Sequence, residues 1–513
     1  MASSSFQNFL TDQSHFFHDG TICFSLILSC FQGWGHERFS NIKEIFPDEI
    51  NDDMLFHFCD WLSEKVFFME IEAKQERDAQ KIFVSINDRG LKLSSAEMLK
   101  GYLLSEIKDD QKREELNELW KETVFSLTKD ENNGEENFIK SWFRAQYAKT
   151  IRGKKAGDEP QDYELIGGAF HEWVRNNKKE IKLNTSDEFE SFIRRFSKFA
   201  EYYRVIREAE KKFSKEETEY IYYNAQIEFT MQTQLLLAPI CDEDDLTAVK
   251  KKMNFVARFI ELYIINRVIN NKSVKSETVK DYIFRLTKEI RRCSLEELKK
   301  RLMSQESIKY EPDEALHNFQ LNNYTKRYIK HILARIIGYI EESTDKSTNY
   351  IDYMNRKTKN PFEIEHIITD HYDGIFKGEY ADQEEFKRWR NNIGALLLIR
   401  KKLNASLKDS PYEDKLSKYS TDGDIYAKSL GEQAYRNAPE FKKFISDNKL
   451  KFKPYSQFGK DEIRERNHLF VQLFKLIWNT DRFCENTDNS KSIIEKYPIK
   501  EKNRNSKSKN RQK

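Results

Sequence analysis

Glycine and proline are scarce in this chain, at 17 and 9 of 513 residues, and this limits the fold more than any other feature. Both residues disrupt helix interiors, glycine through backbone entropy and proline through its missing N–H and its ring. A chain that spends so little on them while using Lys, Glu and Leu freely is expected to form long helices joined by few tight turns. Its 37 Phe, 24 Tyr and 7 Trp supply the apolar surface for packed cores even though 34% of residues are charged. At this length a single core is not expected, and the fold class read here is mainly α over several domains.

Charge excludes less. The 87 basic residues nearly balance 85 acidic ones, so a nucleic-acid surface would have to be a local patch. Cys23, Cys30, Cys59, Cys241, Cys293 and Cys484 form no CxxC pair and no framework spacing, which points to reduced thiols in a cytoplasmic protein. The start MASSSFQNF lacks a secretory pattern, and the apolar run at 22–31 is half the length a membrane span requires, roughly 20 residues. No membrane association is expected.

Along the chain, the run around Val66, Phe68 and Glu70 reads as a strand, the segment Asn87-Asp88-Arg89-Gly90 as a turn, and Ser94 or Ser95 as the cap of a helix carrying Met98, Leu99 and Leu103. Between residues 111 and 353 amphipathic stretches recur without a fixed period, which predicts packed helices and not a solenoid. Texture changes at Asn360-Pro361: a β-like run at 362–368, a polar loop, a second β-like run at 395–399, then helical sequence from Lys402. More helices follow, and residues 500–513 carry seven Lys/Arg against one Glu, the composition of a disordered tail.

The order strand, loop, strand, helix places a chemically useful set of residues. Hydrolysis of a phosphodiester needs an activated water, a cation on the phosphate oxygens and alignment of the two. In PFEIEHIITDHYDG, His366 supplies a base with a pKa near neutrality, and Glu365 beside it supplies a hard oxygen donor. On a regular strand their side chains leave opposite faces, so a bend is expected to bring both to one phosphate. Asn404, in the first turn of the following helix, offers an amide oxygen suited to Mg²⁺ or Mn²⁺.

These residues, with RNNIGALLLIRKKLNASLKDSPYEDKLSKY after FEIEHI, resemble the C-terminal HNH nuclease domain of the GmrSD-type (type IV restriction) family. The resemblance implies a ββα-metal finger holding one divalent ion, Mg²⁺ or Mn²⁺. In it His366 would be the general base, Glu365 and Asn404 metal ligands, Asn392 the residue that orients the finger or polarises the base, and Glu363 a support for the ligands. Many relatives carry Asn where this chain has Ala395, so Asn391 or Asn392 would take that role, or the role is dispensed with. KIFVSINDRGLKLSSAEMLKGYLLSEI resembles the closing segment of the family's ParB/sulfiredoxin-like nucleotide-handling domain, with Asn87 and Arg89 as candidate nucleotide contacts. The family's Asp-Gly-Gln-Gln-Arg motif does not occur here, so no NTPase activity is assigned to this chain. The expected organisation is a truncated N-terminal α/β remnant at 1–105, a helical middle at 106–355, the finger at 356–425, C-terminal helices at 426–485 and a basic tail at 486–513.

Other features have plainer readings. Arg388 and Arg390 flank Trp389, and Lys415 and Tyr412 follow Asn404; all could touch a DNA backbone, but a packed Trp beside solvated arginines is the simpler outcome. His371 is read as a loop residue. The tyrosines at 202, 203, 220, 222 and 223, and His331, are read as packing residues.

The function this implies is a metal-dependent DNA endonuclease or nickase of a bacterial anti-phage restriction system, acting on phage or modified DNA. Either the N-terminal half has been lost through a truncated or split reading frame, or a second polypeptide supplies it, and a nucleotide would bind only where that half is present. The competing expectation is a catalytically incomplete fragment of such a system that binds DNA or a partner, and RNA cleavage by the same chemistry is the weaker third.

Overall fold

The computed structural model describes residues 52–65, 94–129, 131–151, 159–215, 217–309, 312–347, 349–372, 379–407 and 410–478. The run at 22–31, the strand expected at 66–70, the turn carrying Asn87 and Arg89 and the basic tail lie outside the described residues. The chain divides into two compact units, Met1–Lys92 and Leu93–Lys513. In the first, the helix Asp52–Lys65 is described. The second unit is mainly α, as the shortage of helix breakers predicts.

Its first helix, Ser95–Ser105, begins where the sequence placed it. Ser94 accepts from the Glu97 amide while Glu97 bonds back to Ser94, satisfying amide groups that helix geometry leaves without partners. Thr185 and Glu188 cap the 26-residue helix Ser186–Lys211 in the same way. Phe189, Phe192, Ile193, Phe196, Phe199 and Tyr203 fall on one buried stripe of that helix. Against it Trp120 stacks on Phe196 with ring centroids 4.0 Å apart, and Trp142 meets Phe192 and Phe199. Truncating one of these large rings to alanine is expected to cost about 3–5 kcal/mol.

The helix Leu246–Ile269 is buried around most of its circumference and carries a charged residue into the core. Glu261 Oε1 accepts from Arg335 Nε and bonds His331 Nε2, both at 3.0 Å, while His331 Nδ1 bonds the Tyr350 hydroxyl at 2.8 Å. Arg335 also lies 3.9 Å from the centre of the Tyr223 ring. His331 is therefore structural, and Tyr202, Tyr203, Tyr222 and Tyr223 are buried packing residues.

Tyr350 opens the short helix Tyr350–Met354, which leads into the two-stranded sheet. Strand β1 (Phe362–His366) pairs antiparallel with β2 (Leu396–Arg400), Glu365 opposite Leu397 and His366 opposite Leu396. Helix Lys401–Leu407 follows β2 directly. Arg400 clamps the base of this unit, donating to the Asn360 carbonyl, pairing with Asp352 and lying 4.1 Å over the Phe362 ring. The strand, strand, helix order expected for 356–425 is thus present, with helix Gln383–Arg390 and a 3₁₀ turn Ile393–Ala395 between the strands. No helix among the described residues is long and apolar enough to cross a membrane.

Candidate active site

β1 is regular through His366, and this decides where its two polar side chains go. Ladder pairing continues to His366, and the Ile367 amide still bonds the Ala395 carbonyl at 2.9 Å. The bend expected to bring Glu365 and His366 together is absent: with period-two geometry, they leave opposite faces of the strand.

On one face, His366 Nε2 bonds Asn391 Oδ1 at 2.9 Å. Since that amide oxygen only accepts, the ring carries its proton on Nε2 and its lone pair on Nδ1. Burial, followed by the positive charge of Arg390, pushes the His366 pKa down to about 4, and the bond to Asn391 opposes this only in part. The imidazole is accordingly neutral at physiological pH. Arg390 is held beside it, Nε donating to the Thr369 carbonyl at 3.0 Å and Nη1 lying 3.5 Å from Asp370.

On the other face, Glu365 is buried and Oε1 accepts from Lys415 Nζ at 2.7 Å and from the Tyr419 hydroxyl at 3.0 Å. Lys415 also donates to the His366 carbonyl at 2.8 Å. Lys415 and Tyr419 are one turn apart on helix Tyr412–Asp422, so a single helix face grips β1. Lys415, expected as a DNA contact, is 1% exposed and cannot reach a phosphate in this arrangement. Its ammonium is consumed by the carboxylate. Tyr412 likewise turns inward, its hydroxyl bonding the Tyr455 carbonyl.

Asn404 lies against β1, with Nδ2 donating to the Ile364 carbonyl at 3.3 Å, one residue before Glu365 and two before His366. Asn392, expected to orient the finger or to polarise the base, makes no bond to His366. Its Nδ2 donates to the His317 carbonyl at 2.8 Å and its Oδ1 accepts from the Gly394 amide at 3.0 Å, so it caps the 3₁₀ turn. Asn391, the alternative left open by Ala395, makes the contact with His366. Ala395 is fully buried with its amide and carbonyl both bonded, in a turn where a polar side chain has no outlet.

The asparagine turn is held from outside the finger. Gln320 bridges Asn392, the Leu321 amide donates to the Asn391 carbonyl at 2.8 Å, and the Ile393 amide donates to the Phe319 carbonyl at 3.1 Å. From below, Arg466 Nε donates to the Gly394 carbonyl, and a Cβ on Gly394 would stand 2.6 Å from the Ile463 carbonyl. That contact explains the glycine. Trp389 is half-buried between the cations of Arg464 and Lys460, while Arg388 is exposed and His371 lies on the loop surface. Of the arginines flanking Trp389, Arg388 alone points outward as the sequence suggested.

The sequence missed Tyr419 and the strap 319–321. Tyr419 was findable, being four residues from Lys415 on a helix; the strap forms through backbone groups, which leave no residue-type signal. Among the described residues no group of three or more His, Cys, Asp or Glu is arranged to hold a metal. The two residues expected as ligands, Glu365 and Asn404, offer oxygen donors, one carboxylate and one amide. This suits a hard cation that keeps most of its water and completes its shell with substrate phosphate, and it does not suit zinc.

Residues 309–473 match the family model of the GmrSD restriction endonucleases, C-terminal domain, a span that takes in the strap, the strand, strand, helix unit and most of the helix Lys460–Ile477 that supports Gly394. No curated protein matches the chain.

Proposed function

We propose that residues 356–425 form an HNH-type nuclease finger and that the protein is a metal-dependent DNA endonuclease or nickase of an anti-phage restriction system, directed at modified DNA. One observation carries the reading: a neutral histidine at the end of β1, fixed through Nε2 by Asn391, presents Nδ1 as a proton acceptor within a strand, strand, helix unit. His366 would take the proton of the attacking water through Nδ1, and Asn391 would hold the tautomer that makes this possible. Arg390, anchored by Thr369 and Asp370, would stand beside the phosphate charge. Asn404, and Glu365 once it turns away from Lys415 toward the His366 face, would hold Mg²⁺ or Mn²⁺. When bound, that ion would neutralise charge building on the phosphate oxygens. The similarity to restriction endonucleases supports DNA as the substrate.

The test is nicking of supercoiled plasmid by purified protein with Mg²⁺ or Mn²⁺. His366→Ala should lower the rate by roughly 10²–10⁴-fold, the usual worth of a general base, and EDTA should stop it. Undiminished cutting by the variant would remove His366 from the mechanism. A second reading, a module that binds DNA or a partner without cutting, is favoured by the Lys415 ammonium already neutralising Glu365. Metal titration separates the two. A working finger takes up one divalent ion per chain and loses it in Asn404→Ala, whereas a binding module takes up none.

A further inference from the structure

Far along the chain from the finger, the end of helix Leu246–Ile269 and the loop after it border a cavity of about 160 Å³. A single water needs roughly 10–15 Å³ on the same scale, so there is room for a phosphate with an attached sugar, far more than a simple ion requires. In its floor the Tyr263 ring is 2% exposed and stacks on Tyr282 with centroids 4.8 Å apart, and its buried hydroxyl has the Arg267 guanidinium beside it but no acceptor for its proton. Burial raises the pKa of that phenol, so it stays a donor.

Around this donor the walls are rich in positive charge. Arg267, Lys272 and Lys309 line the cavity with Asn270, and Glu306 is the one carboxylate among the lining residues, paired with Lys309 at 2.6 Å. Competing acceptors nearby are already used. The last carbonyls of the helix receive the Asn270, Asn271 and Lys272 amides, and the Asn266 side chain is spent on the Ser307 carbonyl and on Asn270. Arg267 Nε and Nη2 hold the Ser273 carbonyl, which fixes the guanidinium at the wall. A cavity that offers a buried hydroxyl donor and an excess of two positive charges selects an anion with several acceptor oxygens.

We propose that this cavity is a second binding site, for a phosphate group carried on a nucleotide or on a nucleic-acid strand, with Tyr263 as the buried donor and Arg267, Lys272 and Lys309 as the charge that recognises it. The site does not rest on the nuclease reading, because none of its residues belongs to the finger.

The full-length protein, with His366→Ala to exclude cutting, is titrated with inorganic phosphate, deoxyadenosine monophosphate, deoxyadenosine and a short DNA duplex, following binding by calorimetry and by the shift in melting temperature. The monophosphate should bind and raise the melting temperature, and deoxyadenosine should not. Tyr263→Phe, which keeps the stacked ring, should weaken binding about tenfold without lowering the melting temperature of the free protein. The surface double variant Lys272→Ala/Lys309→Ala should weaken it further. If the duplex alone binds and Tyr263→Phe weakens it, the site is a contact for a DNA phosphate and the proposal stands. If deoxyadenosine binds as well as the monophosphate, or if neither variant changes the affinity of any phosphate-bearing probe, the proposal is overturned.

Discussion

Lys415 and Glu365 form an ion pair at 2.7 Å in which neither side chain is more than 6% exposed, with the Tyr419 hydroxyl on the same carboxylate oxygen. Removing one partner leaves the other charged and sealed from water. Lys415→Met should therefore destabilise the fold by about 3–5 kcal/mol, and adding Glu365→Gln should return part of that loss. A double-mutant cycle on urea unfolding measures the coupling. A Lys415→Met protein as stable as the parent would refute the buried pair.

The adjacent asparagines should separate into two phenotypes. Asn391→Ala removes the group that fixes the His366 tautomer and is expected to depress kcat with little change in melting temperature. Asn392→Ala frees the His317 carbonyl and the Gly394 amide inside the fold, at a cost of about 1–3 kcal/mol for each buried group left unpaired. Calorimetric melting and plasmid nicking on the same preparations test the split, and reversed phenotypes would exchange the two roles.

His366 should leave a pH signature in the metal-free protein. Its folded pKa, about 4, lies below the ordinary 6.5, so between those values the unfolded chain binds more protons than the folded one. The contribution of a neutral, half-buried His366 is therefore complete above pH 6.5 and is lost as pH falls towards 4. Urea midpoints at pH 7 and pH 5 should fall more in the parent than in His366→Ala. Equal falls would mean that the ring titrates normally.

Glu261 is asked to compensate Arg335 and to hold His331 at once. Glu261→Gln keeps the shape and deletes the charge, so an unneutralised buried arginine remains and a loss of about 3–5 kcal/mol follows. Tyr350→Phe should cost less, about 1–3 kcal/mol, because one neutral hydrogen bond is lost. Thermal denaturation of both variants should rank them in that order.

Gly394→Ala should fail for a packing reason. Its new methyl group would press on the Ile463 carbonyl and the Asn467 side chain, and since a backbone atom cannot swing aside, the asparagine turn must shift away from β1. Reduced stability together with reduced nicking is expected, and an unaffected variant would show that helix Lys460–Ile477 is not seated against the turn.

Much of this was legible in residue types, because it depended on local rules. The helical character followed from missing breakers, the Ser94 cap from a Ser-x-x-Glu pattern, and the two strands of the finger from apolar runs on either side of a polar loop. What the sequence could not show were choices made by tertiary packing. Lys415 reads as a solvated cation until Glu365 is known to face it, and Asn391 and Asn392 are equivalent in sequence until the His317 carbonyl claims one of them. The expected bend after Glu365 failed because β2 supplies a ladder partner for every residue of β1.

The backbone strap from Phe319 to Leu321 means that the finger is not a cassette. The groups that hold Asn391 opposite His366 come from chain lying well before β1, so a graft cut at residue 356 would carry the reactive residues without their alignment. A transplant that is to keep Asn391 on His366 has to take the preceding segment with it; the structural unit is larger than the motif by which it is read.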